Sequence, residues 1–363
     1  MSTTGRVLSS EYMHWAKTRS AARYNLATSG VMNFPLNGLP VTLGDLEITS
    51  GGSYGYEPLQ QALAAKCGVP ADCIVAATGT SMANHLALAA VLEPGDEVLI
   101  ETPTYELLVS AALYLGARVE FFDRCTDTGF AIDPREIARK LTSRTKLIVI
   151  TNLHNPTSAL ADDQTLRSVG QIARNAGSYV LVDEVYLDSA FDLAVRTAFQ
   201  LGEEFIVTSS LTKVYGLSGL RCGWIIAKPE LARKIWRLND LFGVMPAHTA
   251  ERLSVTALAA LDQIKARSRA ILDTNREQAS RALSGCQGLD ITFAPFGTVL
   301  FPRLRGGSVD EFCDLLRTKY ETSVVPGHFF YAPRHFRVGL GGDTAMTKEG
   351  LSRLAEAVNE FVR

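Results

Sequence analysis

The chain has 363 residues, with 36 Lys and Arg against 38 Asp and Glu, 47% hydrophobic residues and 20% charged ones. A formal net charge of −2 offers no basic field to nucleic acid, so nucleic-acid binding is not expected. The length exceeds what one small core organises, which predicts one large domain and a smaller one.

The first 40 or so residues carry no strong periodic pattern, and SGVMNFPLNGLP reads as an extended arm or loop. The N-terminus MSTTGRVLSSEYMHW holds no apolar h-region, and no stretch reaches the roughly 18 uninterrupted apolar residues of a membrane span. A cytoplasmic location without a membrane partner is therefore expected. The six cysteines, Cys67, Cys73, Cys125, Cys222, Cys286 and Cys313, form no CxxC pair and read as reduced and mostly buried.

Between residues 70 and 230 short β-rich runs alternate with helical patterns: IVAA (74 to 77), EVLIE (97 to 101), RVEFF (118 to 122), KLIVIT (146 to 151), YVLVD (179 to 183), FIVTS (205 to 209) and GWIIA (223 to 227). The runs are near-continuously apolar, as strands covered by helices on both faces should be, and this predicts a layered α/β domain. Several end on polar residues, so functional groups belong at those ends. After Pro229 the pattern turns helical, with ELARKIWRLNDLF and one long stretch TAERLSVTALAALDQIKARSRAILDTNREQASRALS. The β runs TVLFPRL and FRVGLG and a closing helix near LSRLAEAVNEFV follow, which predicts a second, α+β unit joined to the first by a long helix.

Four strand ends carry chemically useful groups. Thr78, Gly79, Thr80 and Ser81 precede an apolar helix; the hydroxyls read as ordinary caps, or Gly79 admits an oxyanion to the free N–H groups of the helix start. Asn155-Pro156 is either turn chemistry or part of a site. Asp183 closes a buried strand, where an acid is costly without a partner, and Tyr186 three residues later places a phenol beside it. Lys213, in SSLTKVYGLSGLRCGW, sits among small residues and glycines; as a partly desolvated lysine it suits Schiff-base formation, and Arg221 offers a planar fork for phosphate or carboxylate.

Taken together, these pieces resemble the class I and II aminotransferases, enzymes of fold type I that use pyridoxal 5′-phosphate (PLP). SLTKVYGLSGLRCGW resembles the family's Ser-x-x-Lys with Arg eight residues on, and HNPT and DEVY stand at the matching intervals. The resemblance implies an α/β fold of the PLP-dependent transferase type I. That fold has a large domain, with a mixed, mainly parallel seven-stranded sheet, and a smaller α+β domain. The implied limits are 1–42 for an arm and part of the small domain, 43–245 for the large PLP-binding domain and 246–363 for the small C-terminal domain. By the same resemblance Lys213 holds PLP as a Schiff base and carries the proton, and Asp183 pairs with the ring nitrogen. Asn155 and Tyr186 bond the ring oxygen, Tyr105 stacks on the ring, and Gly79, Thr80, Ser81, Ser210 and Arg221 hold the phosphate. Arg337 in HFRVGLGG resembles the arginine that grips the substrate carboxylate, with Asn155 nearby, and Ser29-Gly30 matches the arm over the substrate. The family is dimeric with shared sites, and either Tyr54 or Tyr56 matches the tyrosine that reaches the partner's phosphate, Tyr54 being preferred.

The chain departs from the family at Ser158, where glycine is usual, and at Gln60, where arginine is common. The six histidines show no compact ligand spacing, so no metal is expected, and His154 reads as a strand-end histidine bonded to backbone. Transamination between an amino acid and a 2-oxo acid is the expected reaction. PLP-dependent elimination, including carbon–sulfur lysis, uses the same motifs. A non-catalytic PLP sensor is the third reading, disfavoured because Lys213, Asp183, Tyr186 and Arg337 are all present.

Overall fold

The computed structural model describes residues 7–362. Chain order begins with helix α1 (Glu11–Thr18), whose Ser10 side chain accepts from Met13 N, and the two-residue strand β1 (Tyr24–Asn25). The unpatterned N-terminus thus contains a capped helix that the sequence reading did not expect. Helix α2 (Glu57–Cys67) ends at Gly68, whose φ of +64° is the left-handed cap that glycine adopts without strain.

Strand β2 (Ile74–Thr78), helix α3 (Gly79–Val91), strand β3 (Glu97–Thr102), helix α4 (Glu106–Tyr114), strand β4 (Arg118–Asp123), helix α5 (Pro134–Lys140), strand β5 (Thr145–Thr151), helix α6 (Asp163–Ala176) and strands β6 (Tyr179–Asp183), β7 (Phe205–Ser210) and β8 (Cys222–Ile226) follow. The seven strands β2 to β8 form one sheet in the order β2-β8-β7-β6-β5-β3-β4, and β8 alone runs antiparallel to its neighbours. The central runs are strands covered on both faces, Val180, Leu181 and Val182 of β6 and Ile148, Val149 and Ile150 of β5 having no exposure, whereas the edge strand β4 leaves Arg118, Glu120 and Asp123 exposed. The C-terminal ends of β2, β5, β6 and β7 consequently carry Thr78, Thr151, Asp183 and Ser210 to one edge, where an open α/β sheet binds its ligands.

Helices α7 (Pro229–Asn239), α8 (His248–Ala259) and α9 (Leu261–Leu283) follow. The single long helix expected over 249–284 is broken at Ala260, although neither Gly nor Pro marks the place. The change of core lies within α9: Ala257 and Ile264, on either side of the break, both enter the core around the sheet, whereas Leu272, Ala279 and Leu283 enter a second core. Past α9 come strands β9 (Leu289–Asp290), β10 (Val299–Leu300) and β11 (Arg303–Leu304), helix α10 (Val309–Lys319), strands β12 (Thr322–Ser323), β13 (Val325–Pro326) and β14 (Phe336–Gly339), and helix α11 (Thr344–Phe361). TVLFPRL is two short strands rather than one, interrupted at Pro302, which has no N–H for a ladder.

The segment after α1 is stitched to both units. Leu26 N donates to Ser323 O, Gly339 N to Leu26 O (2.6 Å), and Val31 N to Lys213 O (2.7 Å). All six cysteines are free; Cys73, Cys222 and Cys286 are buried, and Cys125 is exposed. No described helix is long and apolar enough to cross a membrane.

Candidate functional site

The first part of the site is built where β2 meets α3. Gly79 has φ +77°, and a Cβ there would lie 2.9 Å from Arg221 Cζ and nearer still to Nη2. Gly223 on the adjacent β8 is equally confined, since its Cβ would lie 2.5 Å from the Gly79 carbonyl carbon. These two glycines let Arg221 lie across the start of α3, where its Nη2 donates to Thr78 O (3.3 Å). Thr80 Oγ1 donates to Ser210 Oγ (2.8 Å), so two hydroxyls, a guanidinium and free helix N–H groups converge, with Ser81 beside them. That combination suits a phosphate. Thr78, the residue before the helix, makes no side-chain cap bond.

Asp183 is buried at the end of β6. Asn84 Nδ2 donates to its Oδ2 (2.8 Å) and Val185 N to its Oδ1 (3.0 Å). Thr208 Oγ1 donates to Asn84 Oδ1 (2.5 Å), which turns the amide NH₂ toward the acid. Burial outweighs these bonds and pushes the Asp183 carboxyl up to about 6. Such an acid is best stabilised by a cation entering the cavity.

Lys213 follows β7 on a loop. Its Nζ donates to Ser29 Oγ (3.2 Å), and Tyr186 Oη donates to the same oxygen (2.8 Å). Burial holds the Lys213 ammonium below its ordinary value, with Arg337 and Arg221 adding to the effect. Burial likewise raises the Tyr186 phenol. Gly30 packs against the lysine's own backbone: a Cβ there would meet Lys213 O at 3.3 Å.

Arg337 on β14 is 1% exposed, and its Nη1 donates to Asn155 Oδ1 (3.1 Å). Asn155 is fixed in turn by its N–H, which donates to Thr151 Oγ1 (2.9 Å). The neighbouring Ser158 has φ +63°, the left-handed conformation that glycine would take, and its Oγ donates to Val299 O (2.9 Å). The departure from glycine therefore keeps the turn and adds a tie to the second unit. Gly297 makes room for it, since a Cβ there would lie 2.5 Å from Ser158 Cβ. His154 is a structural histidine: Nε2 lies 2.8 Å from Pro103 O, and burial holds the ring well below its ordinary pKa.

One cavity of about 300 Å³ is lined by Thr80, Ser81, Tyr105, Asn155, Asp183, Tyr186, Ser210, Lys213, Arg221 and Arg337. Gly79 and Gly30 shape it through the contacts above. Tyr54 does not line it; that side chain is 55% exposed and its Oη donates to Asp240 Oδ2 (3.0 Å). Tyr56 also lies elsewhere, edge-on to His248. Sequence reasoning missed Tyr12, which reaches the cavity from α1, and Asn84; it noted Ser29 only as part of the arm. Asn84 had a signal, as a polar residue within the apolar run of α3, whereas nothing local marks Tyr12.

These residues fit a ring that carries a phosphate, a basic nitrogen and an aldehyde. The cradle at Gly79 would be filled by any side chain there, and the buried Asp183 and the lysine lie in the same cavity. Comparison with known proteins agrees with that chemistry. Residues 47–354 match the family model described as aminotransferase class I and II. The chain is 27% identical to capreomycidine synthase of Streptomyces vinaceus, across 96% of this chain and 93% of that one. It is 24% identical to the aspartate aminotransferase of Sulfolobus acidocaldarius, across 86% and 82%. A PLP-dependent aminotransferase from Streptococcus suis superposes with a TM-score of 0.92 at 24% identity, covering 98% of this chain and 99% of that one. The chain belongs to the class I and II aminotransferases: it is a PLP-dependent enzyme of that fold, acting on amino acid and 2-oxo acid substrates.

Proposed function

We propose that this cavity catalyses transamination between an α-amino acid and a 2-oxo acid, with Lys213 as both the nucleophile toward the cofactor and the proton carrier. The observation that carries this reading is the convergence of Lys213, Asp183 and Arg337 on one cavity. When bound, PLP supplies a carbonyl for the substrate amine and a ring that accepts electron density from the substrate Cα. Burial lowers the Lys213 ammonium from its ordinary value, which favours the neutral, nucleophilic amine. Once released from the cofactor it can take and return a proton at the substrate Cα.

Asp183 is the residue that would hold the ring nitrogen, its carboxylate regaining in that pair what burial costs it. Asn155 and Tyr186 would orient the ring oxygen, Tyr105 would cover the ring face, and Gly79, Thr80, Ser81, Ser210 and Arg221 would hold the phosphate. Arg337 would take the α-carboxylate through its planar fork.

We further propose that the enzyme is a cytoplasmic homodimer, with Tyr54 serving the partner's site. Tyr54 has no place in its own cavity. Leu43, Ile48, Leu241 and Val244 are 88%, 83%, 77% and 59% exposed, an apolar surface of the kind that marks an interface. Arg252 Nη2 ties the first of these segments to α8 through Gly44 O, and Tyr54 itself donates to Asp240, next to Leu241. We also propose the division into residues 43–245 and 246–363, with 1–42 contributing an arm; the two separate cores support two units, with Ala257 and Ile264 of the second range packing into the first core.

A second reading is PLP-dependent elimination or another rearrangement, favoured by the near full-length similarity to a protein named as a synthase. The test is to incubate the PLP-loaded enzyme with a panel of amino acids without acceptor. Release of the matching 2-oxo acid in one enzyme equivalent indicates transamination. Continuous release of ammonia or of a side-chain fragment would replace it with elimination.

A further inference from the structure

Tyr12 projects from α1 onto Arg337 and is 8% exposed. Its Oη accepts from Arg337 Nη2 (2.9 Å), and Nη2 also donates to Ala27 O (3.2 Å). Nη1 donates to Asn155 Oδ1, while Nε, though buried, has no partner. A guanidinium has five N–H groups, two of them on Nη2. Both are therefore in use.

A carboxylate can grip a guanidinium in a two-pronged pair in two ways, on the Nη1/Nη2 end or on the Nε/Nη2 side. Either way needs an N–H from Nη2, so one of its two acceptors must yield. Ala27 O is backbone, in a turn held by Ala27 N donating to Asn25 Oδ1 (2.9 Å) and in a segment stitched to β12 and β14. The Tyr12 hydroxyl is a side-chain oxygen, and it is the acceptor whose bond Nη2 can give up without disturbing that backbone.

Resting on the reading that Arg337 takes the α-carboxylate, we infer that Tyr12 is a positioning residue that stands in for one carboxylate oxygen. In the free site it keeps the guanidinium oriented and satisfied. On binding it gives up its bond to the incoming carboxylate. The ring stays behind as a wall, packed edge-on against Tyr105 (5.4 Å) and Phe329 (5.7 Å), and Phe330 on the other side holds Arg337 at 4.9 Å from its centroid. These aromatic contacts do not depend on the hydroxyl.

A bond made only in the free state lowers affinity for whatever replaces it. Tyr12→Phe keeps the ring and removes that competing acceptor, so it should tighten carboxylate binding by roughly three- to tenfold, the equivalent of about 0.7 to 1.4 kcal/mol. The probe is 3-phenylpropanoate, a carboxylate without an amino group, titrated calorimetrically into the PLP-loaded enzyme. The expected companion result is a lower KM for an amino acid substrate with little change in kcat. 2-Phenylethylamine, which lacks the carboxylate, should bind both proteins alike. Unchanged or weaker carboxylate binding by Tyr12→Phe overturns the stand-in role. Arg337→Lys, titrated alongside, separates the two claims: if it leaves 3-phenylpropanoate binding unaltered, the assignment of Arg337 fails and the role of Tyr12 falls with it. If Arg337→Lys weakens binding and Tyr12→Phe does not strengthen it, only the role of Tyr12 falls.

Discussion

Gly79→Ala tests the phosphate cradle without removing any charged group. The new methyl would lie 2.9 Å from Arg221 Cζ, well inside contact distance, and φ at this residue is +77°, so the backbone cannot easily swing the methyl elsewhere. Holding alanine in that conformation costs about 1 to 3 kcal/mol. Arg221 is exposed at the cavity mouth and can move out of the way, so most of the strain is relieved by losing its place over the helix start. A charge-assisted bond to phosphate is worth about 1.5 to 3 kcal/mol. The lower end applies to an exposed arginine, and the expected loss in PLP affinity is thus about tenfold. Fluorescence or absorbance titration of the cofactor-free protein with PLP measures it directly. The cofactor-free fold should lose at most a few degrees in Tm, while the extra stabilisation that saturating PLP confers shrinks in step with affinity. Wild-type affinity in Gly79→Ala, with the fold intact, would refute the assignment of this turn to the phosphate.

Lys213→Ala should retain PLP through the cradle yet lose at least about 10²- to 10⁴-fold in kcat, the usual worth of general acid–base transfer; single-turnover rates near wild type would remove the lysine from the mechanism. In the cofactor-free protein burial raises Asp183 to about 6 and Glu184 to about 8, so the folded state binds more protons than the unfolded one and stability falls as pH rises through those values. Below about pH 6.5 the buried His154 and half-buried His335, both held low, impose the opposite slope, as the lowered Lys213 does toward alkaline pH, and Glu184 is the acid raised into the window from pH 6.5 to 8. Tm should decline there on the order of a few degrees, and Glu184→Gln should flatten the decline; a flat wild-type profile would dismiss the buried acid as its cause. Replacing Ile48 and Leu241 by Asp should give a folded monomer with weakened PLP retention, whereas a variant that sediments as a monomer and keeps wild-type activity and PLP affinity would leave Tyr54 without a partner's site to serve.

The sheet was readable because burial on both faces writes its central strands as near-unbroken apolar runs, and the seven runs from IVAA to GWIIA lie within a residue of the observed strands. The second unit was read more coarsely. Its strands are two to four residues long, too short for periodicity, and the break at Ala260 carries neither Gly nor Pro to signal it. Motif residues on the strand ends, from Gly79 to Arg221, could be named from sequence because each carries its own local spacing. Tyr12 and Asn84 could not be named that way. Their meaning lies in partners 325 and 99 residues away, Arg337 and Asp183, and such pairings become visible only after folding.

The balance of charge in the cavity explains why these partners matter. Lys213, Arg221 and Arg337 face a single acid, Asp183; Asp183 and Arg337 are buried, Lys213 is half-buried and Arg221 is exposed at the mouth. Without ligands, each cation must be held by neutral groups: Ser29 for Lys213, Thr78 O and Ser218 O for Arg221, and Tyr12, Ala27 O and Asn155 for Arg337. Neutral acceptors satisfy hydrogen bonds but leave the charge uncompensated, so the cavity remains selective for anions. A phosphate at one end and a carboxylate at the other supply the missing charge, and the acid between them is left to a protonated nitrogen. Each neutral acceptor is therefore a candidate for displacement or sharing when its anion arrives. Among the three acceptors of Arg337, the Tyr12 hydroxyl is the one that neither the backbone nor a second hydrogen bond restrains.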